Sequence, residues 1–461
     1  MLRILLLMLL PVAMLAARGP VYVVLWFDTE DYIEPAADDA ALRIATELDK
    51  LGVRATFKVV GEKARVLESR GRTDVIRALS HHDIGYHSNF HSVQPTPALY
   101  LREMGWLDGA AEFERREKPG VEDIRRIFGV LPSCYGQPGS SWAPQTYRAL
   151  LRMGIPVYLD EGQHVGTGEQ PFWFGGMLNV FEMGRYQIRA TLNDEGALPE
   201  ALENFDHKAA ELEAKGGGVI SIYYHPTEFV TSAFWDLNFA KGANPERSDW
   251  KKPPRRTEEE SERCYRILFR FVEHAKARSG VRFATARELP LLYESQLGHV
   301  ADRAIAARHL AGHETFLETE QGTFSAAELL ETVLGMEAIV AEGPAARGVT
   351  SYGAGSIPRP ALERAKADVT GFIRANRRLP AEVWIGSEKI SIADFAATLA
   401  AADSTADAVP LRKGNLEMEK YVATDARAVF SWPIHPEGFS APQLLELARL
   451  QAWTLKPAKL K

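Results

Sequence analysis

The chain is poor in cysteine. Two in 461 residues, Cys134 and Cys264, exclude a disulfide scaffold and a cysteine-rich zinc site. It also lacks a basic excess: 54 Lys and Arg stand against 61 Asp and Glu, a formal charge of −7. Without a global positive field, nucleic acid and anionic lipid are poor partners. After the first residues, no run is long and apolar enough to cross a bilayer. The rest of the composition is ordinary for a globular protein. With 46% hydrophobic and 25% charged residues, a mainly disordered or fibrous chain is excluded.

The opening MLRILLLMLLPVAMLAARGP places Arg3 before an apolar run and small residues at Ala13, Ala16 and Ala17. That is the pattern of a secretory signal peptide. It predicts removal of residues 1–17 and an exported protein, periplasmic or extracellular, with no transmembrane segment in the mature chain. Export would permit Cys134 and Cys264 to pair; two buried thiols are the simpler expectation.

From residue 18 to 297, strands and helices alternate. VYVVLWF at 21–27, ATFKVV at 55–60, Ile155–Leu159, VISIYY at 219–224 and VRFAT at 281–285 read as buried strands. Asp39–Leu51, Thr73–Ser80 and Gln145–Met153 read as helices, and Thr257 and Glu260 form a capping box for another. The alternation predicts an α/β class with a parallel sheet or barrel. Residues 298–461 are Ala-rich and predict a smaller, mainly helical domain. TFSAAELLE at 323–331 echoes GFSAPQLLE at 438–446, with Ser325 and Ser440 as expected N-caps; ISIADFAATLA at 390–400 is a third such start.

The chemistry gathers at predicted strand ends. FDTED puts Asp28, Glu30 and Asp31 at the C-terminal end of the first strand, where α/β proteins place their sites. His87 and His91 in HSNFH are four apart, so on a helical turn they would share a face and could chelate one metal. His225 follows the strand VISIYY and could protonate a leaving group. Each has a plainer reading: an acidic solvated turn, a surface histidine pair, a helix-start histidine before Pro226. His435-Pro436 has no strand before it and is set aside. PFWFGG at 171–176, Trp142 and Trp235 offer either sugar-stacking faces or packing, and packing is the commoner fate of aromatics.

These stretches resemble, in order, the motifs of the polysaccharide deacetylases, the NodB-homology domain of carbohydrate esterase family 4. FDTED is similar to the first motif, ATFKVVGEKA to the second strand, and GYHSNFHS to the H-[ST]-x-x-H metal motif. YGQPGSSWAP stands in the place of R-x-P, YYHPTEF matches the strand-end histidine, and FATAREL the closing strand and helix. The resemblance covers about residues 20–297. It implies a deformed (β/α) barrel of about seven strands and a metal-dependent hydrolase removing N- or O-acetyl groups from a cell-wall or extracellular polysaccharide or a peptidoglycan-like glycan. Asp28 would be the general base, His225 the general acid, and His87 and His91 ligands of a divalent metal, zinc by preference.

The third ligand is open between Glu30 and Asp31; Glu30 shares strand parity with Asp28 and is favoured. Pro138, Gly139 and Trp142 would contact substrate, with a backbone N–H near Gly139 facing the oxyanion. Gly136 occupies the place of the family's Arg, which predicts a less stabilised Asp28 with a raised pKa. Residues 368–400 are weakly similar to pseudomurein-binding-type repeats, implying wall or glycan attachment by an accessory domain; the plainer reading is a packing domain that caps the barrel. The alternatives are a hydrolase of a non-sugar C–N bond on the same fold, a catalytically silent glycan-binding protein and a structural wall protein.

Overall fold

The computed structural model describes residues 19–298, 300–312, 314–402 and 405–461. The expected signal peptide lies outside the described residues. Nine strands build the first part of the chain: β1 (Val21–Thr29), β2 (Thr56–Val59), β3 (Asp83–Tyr86), β4 (Cys134–Tyr135), β5 (Val157–Leu159), β6 (Phe172–Phe174), β7 (Met177–Val180), β8 (Gly218–Tyr224) and β9 (Val281–Phe283). The spatial order β7-β5-β4-β3-β2-β1-β8 gives seven consecutive parallel strands, as the family resemblance predicts. β9 adds an eighth, parallel to the start of β1. β6 runs antiparallel at the far edge beside β7.

One contact shows how strongly the sheet curls. β1 and β5 are four strand spacings apart, about 19 Å in a flat sheet. Yet the single ammonium of Lys58 on β2 forms ion pairs with both Asp28 on β1 and Asp160 just after β5. The opposite side is not sealed by a ladder. There Gln170 bonds both the N–H and the carbonyl of Val219 on β8, and Gln187 makes one isolated bridge to Ser221. The α/β barrel is therefore deformed rather than evenly closed.

Helices are the main regular structure of the C-terminal part, with three small two-stranded sheets among the described residues, made from β10 (Phe316–Thr319) and β11 (Gly322–Ser325), β12 (Ser356–Pro358) and β15 (Ala408–Pro410), and β13 (Glu382–Ile385) and β14 (Glu388–Ser391). The internal echo is real but pairs differently. Helix, hairpin and helix recur at 303–334 and again at 359–400, with Ser325 and Ser391 each accepting a cap bond from the third helical N–H. Ser440 caps nothing of the kind: the last helix starts at Pro442 after Ala441.

This part is not set apart from the barrel. β16 (Lys456–Pro457) pairs antiparallel with β6 and so becomes the tenth strand of the main sheet. One hydrophobic core runs from Val21 through to Leu455. Lys456 is buried and bonds Glu328 at 2.7 Å. Both cysteines are free and buried, Cys134 in β4 and Cys264 in the helix Glu258–Ala277.

Candidate metal centre and active site

The strand ends converge on a cavity of about 390 Å³. β1 delivers Asp28 and, one step beyond its last residue, Glu30; both are buried. The loop after β3 delivers His87 and His91, and the end of β8 delivers His225.

His87 and His91 do not sit on a helical turn. Residues 87–91 form a loop in which Ser88 and His91 adopt positive φ, +63° and +55°. These left-handed steps fold both imidazoles onto Glu30, doing what helical i, i+4 spacing would have done. The helix Trp106–Phe128 anchors the loop, because buried Glu117 accepts bonds from the Asn89 N–H at 2.7 Å and the Tyr86 hydroxyl at 2.6 Å.

Glu30, His87 and His91 place one donor atom each within 4.8 Å of one another. Glu30 Oε2 lies 3.3 Å from His87 Nε2 and 2.8 Å from His91 Nε2. His87 Nδ1 lies 3.0 Å from the Gly136 carbonyl, which fixes that nitrogen as the protonated one and leaves Nε2 with a free lone pair. His91 Nδ1 bonds Ser92 Oγ at 2.6 Å, while its buried Nε2 makes no well-formed hydrogen bond. Two imidazole nitrogens and one carboxylate aimed at a common point fit a divalent metal with open positions. A second carboxylate–histidine group, Asp28, His87 and Asp160, already encloses a cation, the Lys58 ammonium.

Asp31 is placed elsewhere. Its Oδ1 accepts the N–H groups of Ile33 and Glu34, and its Oδ2 accepts the Thr227 hydroxyl at 2.8 Å. It ties the turn after β1 to the turn after β8.

Lys58 corrects the reading of Gly136. Burial pushes the Asp28 pKa up, but His87, Lys58 and His225 outweigh it and hold it below the usual carboxylate range. The charge missing at position 136 is supplied from β2, where Lys58 is the direct ladder neighbour of Asp28. Gly136 is small for the same reason: a Cβ there would lie 2.0 Å from Lys58 Nζ and 2.1 Å from Asp160 Oδ2. Asp160 itself is raised to about 7 by burial, with Lys58 opposing and Asp28 reinforcing.

His225 Nε2 lies 3.6 Å from Asp28 Oδ2, and its Nδ1 bonds Glu228 Oε1 at 2.6 Å. Arg189 in turn holds Glu228 at 2.6 Å. Burial disfavours the charged ring, but Glu228, Glu30 and Asp28 prevail and raise its pKa to about 9. The imidazole is thereby kept protonated at neutral pH.

Of the expected substrate residues, only Gly139 lines the cavity. Pro138 is buried beneath it, its carbonyl accepting the Ser141 N–H. Trp142 is fully buried and stacks on His164 at 4.9 Å, so it presents no face to a sugar. Phe172–Phe174 and Trp235 are likewise packed inside. Sequence reasoning missed Lys58, Asp160, Glu161, Arg189, Glu228, Asp236 and Trp432, all at or beside the cavity. His435, although no strand precedes it, places its Nε2 3.2 Å from Ser140 Oγ at the same mouth.

No family model and no curated protein matches the chain. Solved structures do. A family 4 acetyl xylan esterase from Clostridium thermocellum in complex with a cobalt ion is similar at 17% identity, over 59% of this chain and 90% of that one, with a TM-score of 0.30. A family 4 carbohydrate esterase from Streptomyces lividans in complex with acetate is similar at 14%, over 58% and 93%, with a TM-score of 0.31. Puue allantoinase is similar at 15%, over 60% and 91%, with a TM-score of 0.40. Likenesses this distant carry no chemistry to this chain, whose side chains must speak for themselves.

Proposed function

We propose that this protein is a metal-dependent hydrolase of the polysaccharide deacetylase type, releasing acetyl groups from a cell-wall or extracellular glycan. One observation carries the reading: Glu30, His87 and His91 aim three donor atoms at one buried point, with Asp28 and His225 on its flank. A divalent ion at that point supplies Lewis acidity toward the scissile carbonyl. Zinc suits two imidazoles and one carboxylate best.

The chain's own residues supply the proton chemistry. Asp28, held ionised by Lys58, takes a proton from the attacking water. His225, oriented through Nδ1 by Glu228, delivers a proton from Nε2 to the departing amine or alkoxide. Gly139 borders the space where the carbonyl oxygen would lie, and a backbone N–H there would stabilise its developing charge. The signal-like opening supports action outside the cytoplasm, and no helix among the described residues is long and apolar enough to cross a membrane.

The test is direct. The full chain is purified, its bound metal measured, and acetate release followed on chitooligosaccharides, peptidoglycan and acetylated exopolysaccharide. One equivalent of metal with metal-dependent acetate release is expected. A metal-loaded, folded protein releasing acetate from none of them would overturn the reading.

A further inference from the structure

We infer that Ala428–Trp432, a segment of the C-terminal region, walls the site so that it accepts the terminal unit of a glycan and excludes internal units of a polymer. The inference rests on the deacetylase reading above and adds the class of substrate.

An internal unit needs a groove open on two sides, because the chain must leave past both of its neighbours. Here the rim is bridged along two lines, both running from the end of β8 to the ends of β4 and β5. On one, the Tyr223 hydroxyl at the end of β8 donates to Glu161, just after β5. That bond crosses the part of the barrel that the ladder leaves unsealed. On the other, Trp432 spans from the loop after β4 to the loop after β8. Its backbone N–H donates to Ser140 Oγ at 3.0 Å, and its indole Nε1 donates to Asp236 Oδ2 at 2.6 Å. Its ring stands edge-on to Phe234 with centroids 6.0 Å apart.

The seat for this tryptophan is built into the barrel. Gly139 has φ +53°, and a Cβ there would come within 2.4 Å of Trp432 Cδ1. Only glycine lets the indole close down over that loop. Ala428, Val429 and Ser431 extend the same wall along the cavity. What remains is a pocket at the lower end of the size range of roughly 300–1,000 Å³ for small-ligand sites. That is room for an end unit and its neighbour, not for a chain passing through.

The experiment uses the metal-loaded full chain and a fully N-acetylated oligosaccharide labelled at its reducing end. Early products are sequenced by tandem mass spectrometry. Acetyl loss at a terminal unit should exceed loss at any internal unit by at least about tenfold, the scale on which pocket shape discriminates substrates. Trp432→Ala, checked for metal content and thermal transition, should narrow that ratio severalfold by opening the wall. Internal units losing acetyl as fast as terminal ones in the unaltered protein would overturn this inference and leave the deacetylase reading standing. Acetate release from no glycan would overturn both. A terminal preference unchanged in folded Trp432→Ala would remove the segment from its role. If Trp432→Ala does not fold, the product pattern of the unaltered protein still decides.

Discussion

Lys58 Nζ lies 2.9 Å from Asp28 Oδ1 and 2.6 Å from Asp160 Oδ2, with no exposure to solvent. The ammonium neutralises two carboxylates that burial would otherwise drive toward protonation. Lys58→Ala should cost about 3–5 kcal/mol, as for other broken buried ion pairs. It should also move the acidic limb of the rate profile upward, because Asp28 then gains its proton at a higher pH. Gly136→Arg alone should be damaging, since its side chain collides with Lys58. Removing Lys58 does not make room for it, because a Cβ at 136 would still lie 2.1 Å from Asp160 Oδ2 and 2.8 Å from the Leu159 carbonyl, so Gly136→Arg should be inactive in both backgrounds. Denaturant melts and the pH–rate profile of Lys58→Ala measure this, and an acidic limb unmoved in the folded variant would refute it.

The metal set makes a second expectation. His87→Ala, His91→Ala and Glu30→Gln should each lose stoichiometric zinc, because two remaining donors hold it poorly. Asp31→Asn should keep it, since Asp31 bonds the turns after β1 and β8 instead. Elemental analysis after dialysis separates the two outcomes. Metal loss in Asp31→Asn with Glu30→Gln unaffected would reverse the assignment.

Asp28→Asn and His225→Ala should retain metal and lose turnover by on the order of 10²–10⁴, the range for general acid–base groups. Glu228→Gln should lose less and lower the basic limb, because Glu228 is the strongest support for the charged ring of His225. A basic limb unmoved in Glu228→Gln would place the acid elsewhere.

Stability should respond to pH through Glu331, far from the cavity. It is fully buried, and its Oε1 accepts the N–H groups of Ile339 and Val340. Burial raises its pKa from 4.5 to about 8. Below pH 4.5 the group is protonated whether the chain is folded or not. Between pH 4.5 and about 8 the unfolded chain gives up its proton while the folded one keeps it. Stability from this residue therefore falls as pH rises through that window, by a few kcal/mol at most. Glu331→Gln should flatten this dependence in urea melts run from pH 5 to 8; an unchanged slope would show that Glu331 is ionised in the folded state.

Residues 19–297 alone should fail to fold stably. They lack β16, the strand that covers the edge of β6, and the helices that complete the shared core. Size-exclusion and circular dichroism of the fragment check this. A soluble, cooperatively melting fragment would restore the view of 298–461 as a separable accessory.

Much of the site was legible from the chain because its chemistry sits at strand ends. Asp28, Glu30 and His225 follow β-branched and aromatic runs whose C-terminal ends must converge in a parallel fold. Lys58 was not legible: within ATFKVV it reads as an ordinary strand residue, and only the curl of the sheet brings Asp160 to it. The loop at 87–91 was misread as helical because spacing alone cannot reveal left-handed backbone at Ser88 and His91. The long helix Trp106–Phe128 was hidden by Pro119 and Gly120 at its centre, which usually mark a break. Trp432 could not be found at all, since nothing local ties it to residues some 200 and 300 positions earlier.

The tenth strand has a consequence for how the molecule is made. Lys456 pairs with Trp173, so the edge of the barrel waits for a partner that leaves the ribosome much later. Until then β6 presents unpaired amides and carbonyls, a template for another chain. The entropy of closing so long a loop rises only slowly with length, so the finished protein pays little for the arrangement. The nascent one is exposed until β16 emerges, and its yield should depend on chaperones far more than that of a barrel sealed by its own neighbouring strands.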